Sequence, residues 1–552
     1  MNPSSTQIPA PVLRKVRLAP LVFGVLTLGV AVRTAHFFAN RSLWLDEAML
    51  GLNIGERSFA GLLQPLAFNQ AAPLGFLWLE KLAVTALGVS EMALRLFPLL
   101  TGILGLFVFA VLGRRLLAPY ATILTLILFA LSTSQVYYSA EVKQYAFDVL
   151  WAGLILLVAH QVVHGLAGST GSDSGRGGRL GALAATGAVG VWFSHPLIFI
   201  LPGALAYLYL ERPRRAADSG EDRSEQAAYR RSLLLVGVAW TVSFALAYFL
   251  TARDAAQGPL MQRFWAEGFM PIPPRTAAEW GWFGGALGDL IRNTYDFTER
   301  VGGFRRVADL LGAVLLALGV VHLARTRRRL LVLLGAPILV TLLASALSFY
   351  PFKGRLIQFL VPPTLLLIGF GISGAGTLAR AAGAASSSKK PGGGGPGAVF
   401  SSTVRTIGLA GGTALCILSS IVLGAWLRAP FREEMRPVLE YVTARGESDA
   451  VIYLHSGARH AFDYYSRYCE RCRPTASEIR PGGFHVPGGE SDLREEIESL
   501  GGNSRVWLVF GHEWWTWGEQ EKRMILDQLI RTGLELDRVV APGASAYLFD
   551  LE

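Results

Sequence analysis

Long apolar stretches recur along the first three quarters of the chain, and most have the length that crosses a bilayer. A membrane-spanning helix needs about 20 consecutive, mostly apolar residues. Four of the stretches contain no Asp, Glu, Lys or Arg: Ser232–Ala252, Leu330–Phe352, Leu356–Ala379 and Thr406–Leu427. The pattern therefore predicts a polytopic α-helical membrane protein.

We predict about 11 spans from these stretches and the shorter ones between them. They are Leu18–Phe38, Arg95–Leu116, Pro119–Tyr138, Asp148–Leu166, two antiparallel spans within Leu180–Leu210, Ser232–Thr251, Val307–Ala324, Leu330–Phe349, Leu356–Leu378 and Thr406–Trp426. The stretch Leu180–Leu210 is divided because its 31 residues are too long for a bilayer core of about 30 Å at about 1.5 Å per residue. His195 is expected at the outer turn between the two halves.

Basic residues predict the orientation, because cytoplasmic loops are enriched in Lys and Arg. Arg14, Lys15 and Arg17 precede the first span, which places the N-terminus in the cytoplasm. With 11 spans, the C-terminus is then extracytoplasmic.

The stretch Ala71–Gly88 is the one apolar segment that we assign to the outer surface. It is short and contains Glu80 and Lys81, and each charge at the centre of a spanning helix costs about 2.5–3.5 kcal/mol. If it does not cross, Arg114 and Arg115 reach the cytoplasm, and the two acidic loops before and after them lie on the same face.

The pattern predicts two domains and a linker. Residues 1–427 form the membrane domain, with outer loops at 39–94, 139–147, 252–306 and 350–355, and residues 380–405, rich in Gly, Ser and Lys, form a flexible cytoplasmic linker. The tail, 428–552, reads as a soluble extracytoplasmic α/β domain. Its predicted strands are "DAVIYLH", "RVWLVFGH" and "SAYLFDL", and its predicted helices are "EEMRPVLEYVTARG" and "EKRMILDQLIRTG".

Composition and charge support a bilayer as the partner and exclude nucleic acid. Only 17% of the residues are charged, against roughly 25% in soluble domains. The net charge of +10 comes from basic residues clustered in short loops, which is the usual topology signal. With three cysteines there is no disulfide framework, and for Cys469 and Cys472 a local disulfide is favoured over zinc.

Candidate chemistry begins with two adjacent acids, Asp46 and Glu47, just beyond the first span. On a helix, neighbouring side chains diverge by about 100°, so the two cannot share a proton as a close pair. One acid can face a reaction site while the other holds the loop or binds a cation.

Other polar residues are predicted on the same outer face, in loops that are far apart in sequence. The full candidate set is Asp46, Glu47, Gln70, Glu141, Lys143, Tyr145, Asp148, His195, Lys353 and Arg355. Each has an ordinary alternative: acids at a helix start offset the helix dipole, and basic residues at span ends extend to the interface. His195 is equally well explained as a polar turn residue. The convergence of these residues on one face of the membrane favours a functional role over these alternatives.

Four motifs carry a resemblance to a known family. "SLWLDEAML", "NQAAPLGFLWLEKL", "SEMALRLFPLLTGILG" and "YYSAEVKQYAFD" resemble the N-terminal half of GT-C glycosyltransferases. The chain is most similar to the group that contains protein O-mannosyltransferases, aminoarabinose transferases and rhizobial lipopolysaccharide sugar transferases. The resemblance is strong over 18–210 and weaker to about residue 426.

The resemblance implies a bacterial cytoplasmic-membrane enzyme that takes a sugar from a polyprenyl phosphate on the outer face. It places the family's first-loop catalytic acid at Asp46 and its second-loop acids at Glu141 and Asp148. It also places a positively charged residue that contacts the donor phosphate at Lys143. Gln70 stands where family members often have His or Glu before a Pro, which weakens the case for a metal ligand there. A divalent cation held by Asp46, Glu47 and Glu141 stays open.

The chemistry of the residues agrees with a glycosyl transfer that inverts the anomeric carbon. A lipid phosphate is a good leaving group that needs positive charge, which Lys143 and Arg355 can supply. One carboxylate, Asp46, suffices as base for the acceptor hydroxyl. A transporter or flippase for a lipid-linked glycan is the alternative, and a non-enzymatic membrane protein is a third. The sequence does not identify the sugar or the acceptor, which is a lipid, a glycan or a protein.

The predicted topology is testable by single-cysteine labelling of intact cells. We expect residues within 71–88 to react with an impermeant reagent, and Arg114 and Lys389 to react only after permeabilisation. External labelling at Arg114 would place the two acidic loops on opposite faces and contradict the scheme.

Overall fold

The computed structural model describes residues 18–168, 173–211, 220–251, 259–295, 302–386, 396–428, 433–483, 490–513 and 516–552. The basic residues Arg14, Lys15 and Arg17 and the linker residue Lys389 lie outside the described residues, so the orientation that rests on them stays a prediction.

The described residues of the N-terminal part form helices joined by loops, with no strand among them. The helices are α1 Leu18–Phe38, α2 Leu45–Glu56, α3 Leu74–Leu87, α4 Glu91–Leu116, α5 Pro119–Leu131, α6 Thr133–Tyr138, α7 Tyr145–Gly168, α8 Asp173–Gly190, α9 Leu201–Leu210, α10 Gly220–Thr251, α11 Pro259–Phe264, α12 Ala277–Tyr295, α13 Gly302–Thr326, α14 Arg328–Ala346, α15 Val361–Ser386 and α16 Pro396–Leu427. Helices α15 and α16 extend into the predicted linker from both sides, so that only 387–395 separates them.

Eight helices among the described residues are long and apolar enough to cross a membrane, so the chain is a polytopic helical membrane protein. The predicted count of about 11 is not confirmed. The candidate spans lie in Leu18–Phe38, Glu91–Leu116, Tyr145–His164, Gln226–Thr251, Arg305–Thr326, Arg328–Ala346, Gly354–Gly374 and Gly408–Leu427, and shorter apolar helices lie at Pro119–Leu131 and His195–Leu210.

The predicted span Pro119–Tyr138 is divided at Ser132, and a buried arginine accompanies the break. Arg33 of α1 donates from Nη1 to the carbonyl of Ala130 at 2.9 Å and from Nη2 to that of Phe129 at 3.1 Å. These carbonyls belong to the last turn of α5, where helix carbonyls lack partners within the helix. The interaction therefore stabilises a helix end within an apolar region.

The acid-bearing helix α2 lies between α3, α4 and the C-terminal part of the chain. Gly51 and Gly55 permit the close approach: a Cβ on Gly51 would lie 3.1 Å from the ring of Tyr464, and one on Gly55 would lie 2.5 Å from the hydroxyl of Tyr468. Helix α3 has 14 residues and is not among the candidate spans, and its place at the outer surface stays a prediction.

The C-terminal domain, described from residue 433, is a five-stranded mixed sheet with helices. Its elements are α17 Met435–Arg445, β1 Val451–Leu454, α18 Arg459–Tyr468, β2 Glu478–Pro481, α19 Glu490–Glu498, β3 Val506–Gly511, α20 Thr516–Thr532, β4 Leu534–Ala541 and β5 Ala544–Asp550. The strand order is β2-β1-β3-β5-β4, with β1 parallel to β2 and β3, and β5 antiparallel to β3 and β4. Cys469 and Cys472 form a local disulfide.

One apolar core joins this domain to the membrane part. Leu52 and Leu94, from α2 and α4, belong to the same buried cluster as Met435, Leu439 and Tyr464, from α17 and α18. The C-terminal domain is therefore not a separate body: its helix α18 packs directly against the helix that carries Asp46 and Glu47.

Candidate active site

The two adjacent acids occupy the first turn of α2, where carboxylates interact favourably with the helix dipole. Their side chains point in different directions, as the helix geometry requires. Glu47 is completely buried, whereas the side chain of Asp46 keeps 20% of its surface exposed. Asp46 is thus the acid that a substrate can reach.

Glu47 is held by two arginines and by the chain around it. Arg41 donates to both of its oxygens at 2.7 and 3.2 Å, and Arg95 donates at 2.6 and 3.0 Å. The amides of Trp44 and Val142 add bonds of 3.4 and 2.9 Å. Burial raises the pKa of Glu47, but the arginine charges outweigh it and bring the pKa to about 2. These contacts leave no oxygen for substrate, contrary to the predicted substrate contact.

Two cations neutralise Asp46. Arg355 Nη2 lies 2.7 Å from Asp46 Oδ2, and Lys143 Nζ lies 4.0 Å from the same oxygen. Burial raises the pKa of Asp46, but the charges of Lys143 and Arg355 outweigh that effect and hold the pKa below its usual range. Asp46 is therefore ionised at neutral pH and accompanied by two positive charges.

Aromatic rings hold the guanidinium of Arg355. Its central carbon lies 5.4 Å from the ring centroid of Trp44 and 5.8 Å from that of Trp265. Cation–π contacts of this kind fix the plane of the group without using its hydrogen-bond donors. Arg355 keeps donors for a second anion.

Behind Arg355, a buried amide network fixes the backbone. Gln135 donates to Gln358 at 2.8 Å, Gln358 donates to Asn293 at 2.8 Å, and Asn293 donates to the carbonyl of Gly354 at 2.7 Å. Gly354 has a φ of +49°, in the left-handed region that favours glycine. The network therefore sets the turn from which Arg355 projects.

Gln70 orients the second cation. Lys143 Nζ donates to Gln70 Oε1 at 2.6 Å, and burial lowers the pKa of Lys143 although Asp46 opposes this. Gln70 follows a tight turn in which Phe68 and Asn69 both have positive φ. The loop between α2 and α3 thus brings a neutral amide, rather than a further charge, to the site.

Glu141 is a third carboxyl group near the pair, but it differs from Asp46 in charge. It is buried, and Trp44 Nε1 donates to one of its oxygens at 3.0 Å. Burial and the negative charge of Glu47 raise the pKa of Glu141 to about 7, against the opposing charges of Arg355, Arg41 and Lys143. Glu141 therefore keeps its proton to a higher pH than an ordinary carboxyl group does.

The remaining candidate residues make contacts of their own. Tyr145 is buried against Tyr138, with ring centroids 4.9 Å apart, and Asp148 is buried one turn further along α7. His195 Nε2 lies 3.1 Å from Thr251 Oγ1, and Lys353 pairs with the exposed Glu267 at 2.7 Å. These contacts give His195 and Lys353 partners other than the two acids, and their part in the site stays a prediction.

The residues do not fit a divalent cation held by Asp46, Glu47 and Glu141. Both oxygens of Glu47 accept several N–H donors, Asp46 already faces two cations, and Glu141 is partly protonated. Four basic side chains, Arg41, Arg95, Lys143 and Arg355, lie among the three carboxyl groups. A site with this balance attracts an anion rather than a metal ion.

Comparison of the sequence with models of known protein families finds no match, and comparison with curated proteins finds none. Among solved structures, the fold is similar to that of ArnT from Cupriavidus metallidurans, an aminoarabinose transferase, in the apo state and bound to undecaprenyl phosphate. For each, the TM-score is 0.45 at 15% identity, over 95% of this chain and 98% of that chain. This likeness says nothing about what the present chain binds.

The protonation of Glu141 predicts how anion binding depends on pH. Below its pKa of about 7 the group is neutral, and above it the group carries a negative charge beside Arg355 and Lys143. Affinity for a polyprenyl-phosphate sugar, a phosphodiester of constant charge, should fall up to about tenfold as the pH rises through this value. Donor titrations in nanodiscs should show the fall in the wild type and a flat profile in Glu141→Gln. The same fall in both proteins would contradict the assignment.

The charge balance also predicts that transfer does not require a metal. Incubation with EDTA followed by gel filtration should leave donor consumption unchanged, because Lys143 and Arg355 supply the positive charge beside Asp46 that a metal ion would otherwise provide. Loss of activity that Mg²⁺, Mn²⁺ or Zn²⁺ restores would overturn this view of the site.

Proposed function

We propose that this protein is a membrane glycosyltransferase that transfers a sugar from a polyprenyl-phosphate donor to an acceptor on the extracytoplasmic face. The observation that carries the proposal is the pairing of a partly exposed carboxylate, Asp46, with two cations from remote loops, Lys143 and Arg355. The arrangement provides a base and an anion-binding pair within one site.

The position of these groups suits a substrate whose tail stays in the bilayer. Asp46 follows α1, Lys143 precedes the candidate span that begins at Tyr145, and Arg355 lies at the start of the span Gly354–Gly374. All three therefore lie at the ends of apolar helices, where a lipid phosphate meets water. A soluble nucleotide sugar would not need a site there.

The two cations supply what the leaving group needs. When the bond between the anomeric carbon and the phosphate oxygen breaks, negative charge develops on the phosphate. A guanidinium can bind two phosphate oxygens at once, and an ammonium adds a compact charge. Because the Arg355 side chain is already oriented by Trp44 and Trp265, little reorganisation is needed when charge develops.

Donor binding should also activate the base. In the structure, Arg355 and Lys143 face Asp46, and their charges lower its pKa. A donor phosphate between the same cations competes with Asp46 for them. The carboxylate then loses its counter-ions, its pKa rises towards the ordinary value, and it becomes a better acceptor for the proton of the attacking hydroxyl.

The predicted stereochemical outcome is inversion. The acceptor oxygen attacks the anomeric carbon opposite the phosphate, one bond forms as the other breaks, and the hydroxyl proton passes to Asp46. In the predicted orientation, with the N-terminus cytoplasmic, this reaction takes place on the outer face of a bacterial inner membrane. The acceptor is a lipid, a glycan or a protein of the cell envelope.

Replacing Asp46 with Asn separates catalysis from binding. Turnover should fall about 10²–10⁴-fold, the usual cost of losing a general base. Donor affinity should hold or increase, because Arg355 and Lys143 no longer have a competing carboxylate. Arg355→Ala should weaken donor binding and slow transfer as well. The measurements are turnover and donor affinity of purified protein in nanodiscs.

Arg467→Ala is a matched control for the loss of an arginine. Arg467 pairs with Glu56 at the far end of α2, and both side chains are about half exposed, so its removal should change neither quantity. Near-normal turnover of Asp46→Asn would contradict the proposal and make Glu141 the next candidate for the base.

A further inference from the structure

The segment that leads to the candidate base lies against the C-terminal domain. Residues 40–45 connect α1 to Asp46, and they make hydrogen bonds with residues almost 400 positions later in the chain. Arg436 donates from Nη2 to the carbonyl of Asn40 at 2.7 Å. Glu434 accepts from the amide and the hydroxyl of Ser42, at 3.3 and 2.8 Å.

The next residue is held by a buried tyrosine of α18. The amide of Leu43 donates to the hydroxyl of Tyr465 at 2.7 Å, and that hydroxyl donates to Glu91 Oε1 at 3.1 Å. Glu91 begins α4 and also pairs with Arg436 at 2.6 Å. One carboxylate of the membrane part thus binds two side chains of the C-terminal domain, which fixes both against the 40–45 segment.

Glu433 and His512 lie against the last two residues before Asp46. Glu433 is buried, and the backbone of Leu45 is among the groups that interact with its carboxylate. His512 Nδ1 lies 3.2 Å from Glu433 Oε2, and the imidazole stacks on the indole of Trp44, with ring centroids 6.0 Å apart and 13° between the ring planes.

The contacts form a pattern beyond ordinary domain packing. The amides of Ser42 and Leu43 are bound by Glu434 and Tyr465 of the C-terminal domain, and Arg436 of the same domain binds the carbonyl of Asn40. The segment that leads to Asp46 is thus held by the C-terminal domain as well as by the membrane part. Sequence analysis assigned no function to this domain.

We infer that the C-terminal domain positions Asp46 for catalysis, with Glu433 and His512 as the positioning residues closest to the reacting group. The inference rests on the proposed function, in which Asp46 is the base. His512 acts through Trp44 and Glu433: its ring stacks on the indole that also faces Arg355, and its Nδ1 contacts the buried carboxylate beside Leu45. Displacement of this segment moves Asp46 relative to the donor without removing either phosphate-binding cation.

The test compares His512→Ala with His512→Asn in the full-length protein in nanodiscs. An Asn amide nitrogen can take the place of Nδ1 against Glu433, and Asn tolerates the left-handed backbone that residue 512 adopts, with a φ of +61°. We expect His512→Ala to lower kcat about 10- to 100-fold, as a misplacement of about 1 Å does, with little change in the KM for a polyprenyl-phosphate sugar. His512→Asn should recover most of kcat.

Hydrogen exchange provides a readout that does not depend on activity. In His512→Ala and in Glu433→Gln, the peptide covering residues 40–47 should exchange faster than in the wild type, because the segment loses contacts that hold it against the C-terminal domain. If the wild type consumes no donor, the proposed function fails, and the exchange result still decides whether the domain holds this segment.

His455→Asn is the matched control. His455 forms a buried pair with Glu521 at 3.0 Å in the same domain, but it lies at the end of β1 and is not among the residues that bind the 40–45 segment. It should leave kcat and the exchange of residues 40–47 unchanged. If His455→Asn and His512→Ala changed kcat and exchange equally, His512 would only stabilise the domain and would not position Asp46. Unchanged kcat and exchange in His512→Ala would overturn the inference outright.

Discussion

The candidate site depends on the ion pairs that the buried carboxylate of Glu47 forms with two arginines. It binds Arg41, Arg95 and the amide of Val142, and so joins the loop between α1 and α2, the start of α4 and the loop between α6 and α7 at one point. Removing one partner of such a pair typically costs about 3–5 kcal/mol, because the other charge stays buried. The neighbouring acid, Asp46, stays partly exposed beside these ion pairs. Its side chain points in a different direction because adjacent residues diverge on a helix.

The charge balance follows from the same arrangement. Arg41 and Arg95 satisfy Glu47, so Lys143 and Arg355 share the single charge of Asp46, with Glu141 partly neutral beside them. The site therefore has more positive charge than its own carboxylates neutralise. An entering phosphate restores the balance, and the carboxylate that it displaces is the one placed to accept a proton. In this view, donor binding and activation of the base are the same event, because Lys143 and Arg355 exchange Asp46 for the phosphate.

The sequence predicted the parts of this site that depend on position in the chain. Asp46, Lys143 and Arg355 stand at the ends of apolar runs, and the strands Val451–Leu454, Val506–Gly511 and Ala544–Asp550 are mostly apolar. Pairings between remote residues were not predictable: no local signal joins Arg95 to Glu47, or His512 to Trp44. The interrupted span at Ser132 was missed because Arg33, a residue of another helix, binds the carbonyls there. The edge strands β2 and β4 were missed because much of their surface is exposed.

The most direct test of the account is a structure of the protein in nanodiscs with a non-transferable polyprenyl-phosphate sugar analogue. The account predicts that the phosphate lies between Arg355 and Lys143, and that the contact of 2.7 Å between Arg355 and Asp46 opens while Glu47 keeps both of its arginines. A phosphate bound elsewhere, with the contact between Arg355 and Asp46 intact, would contradict it.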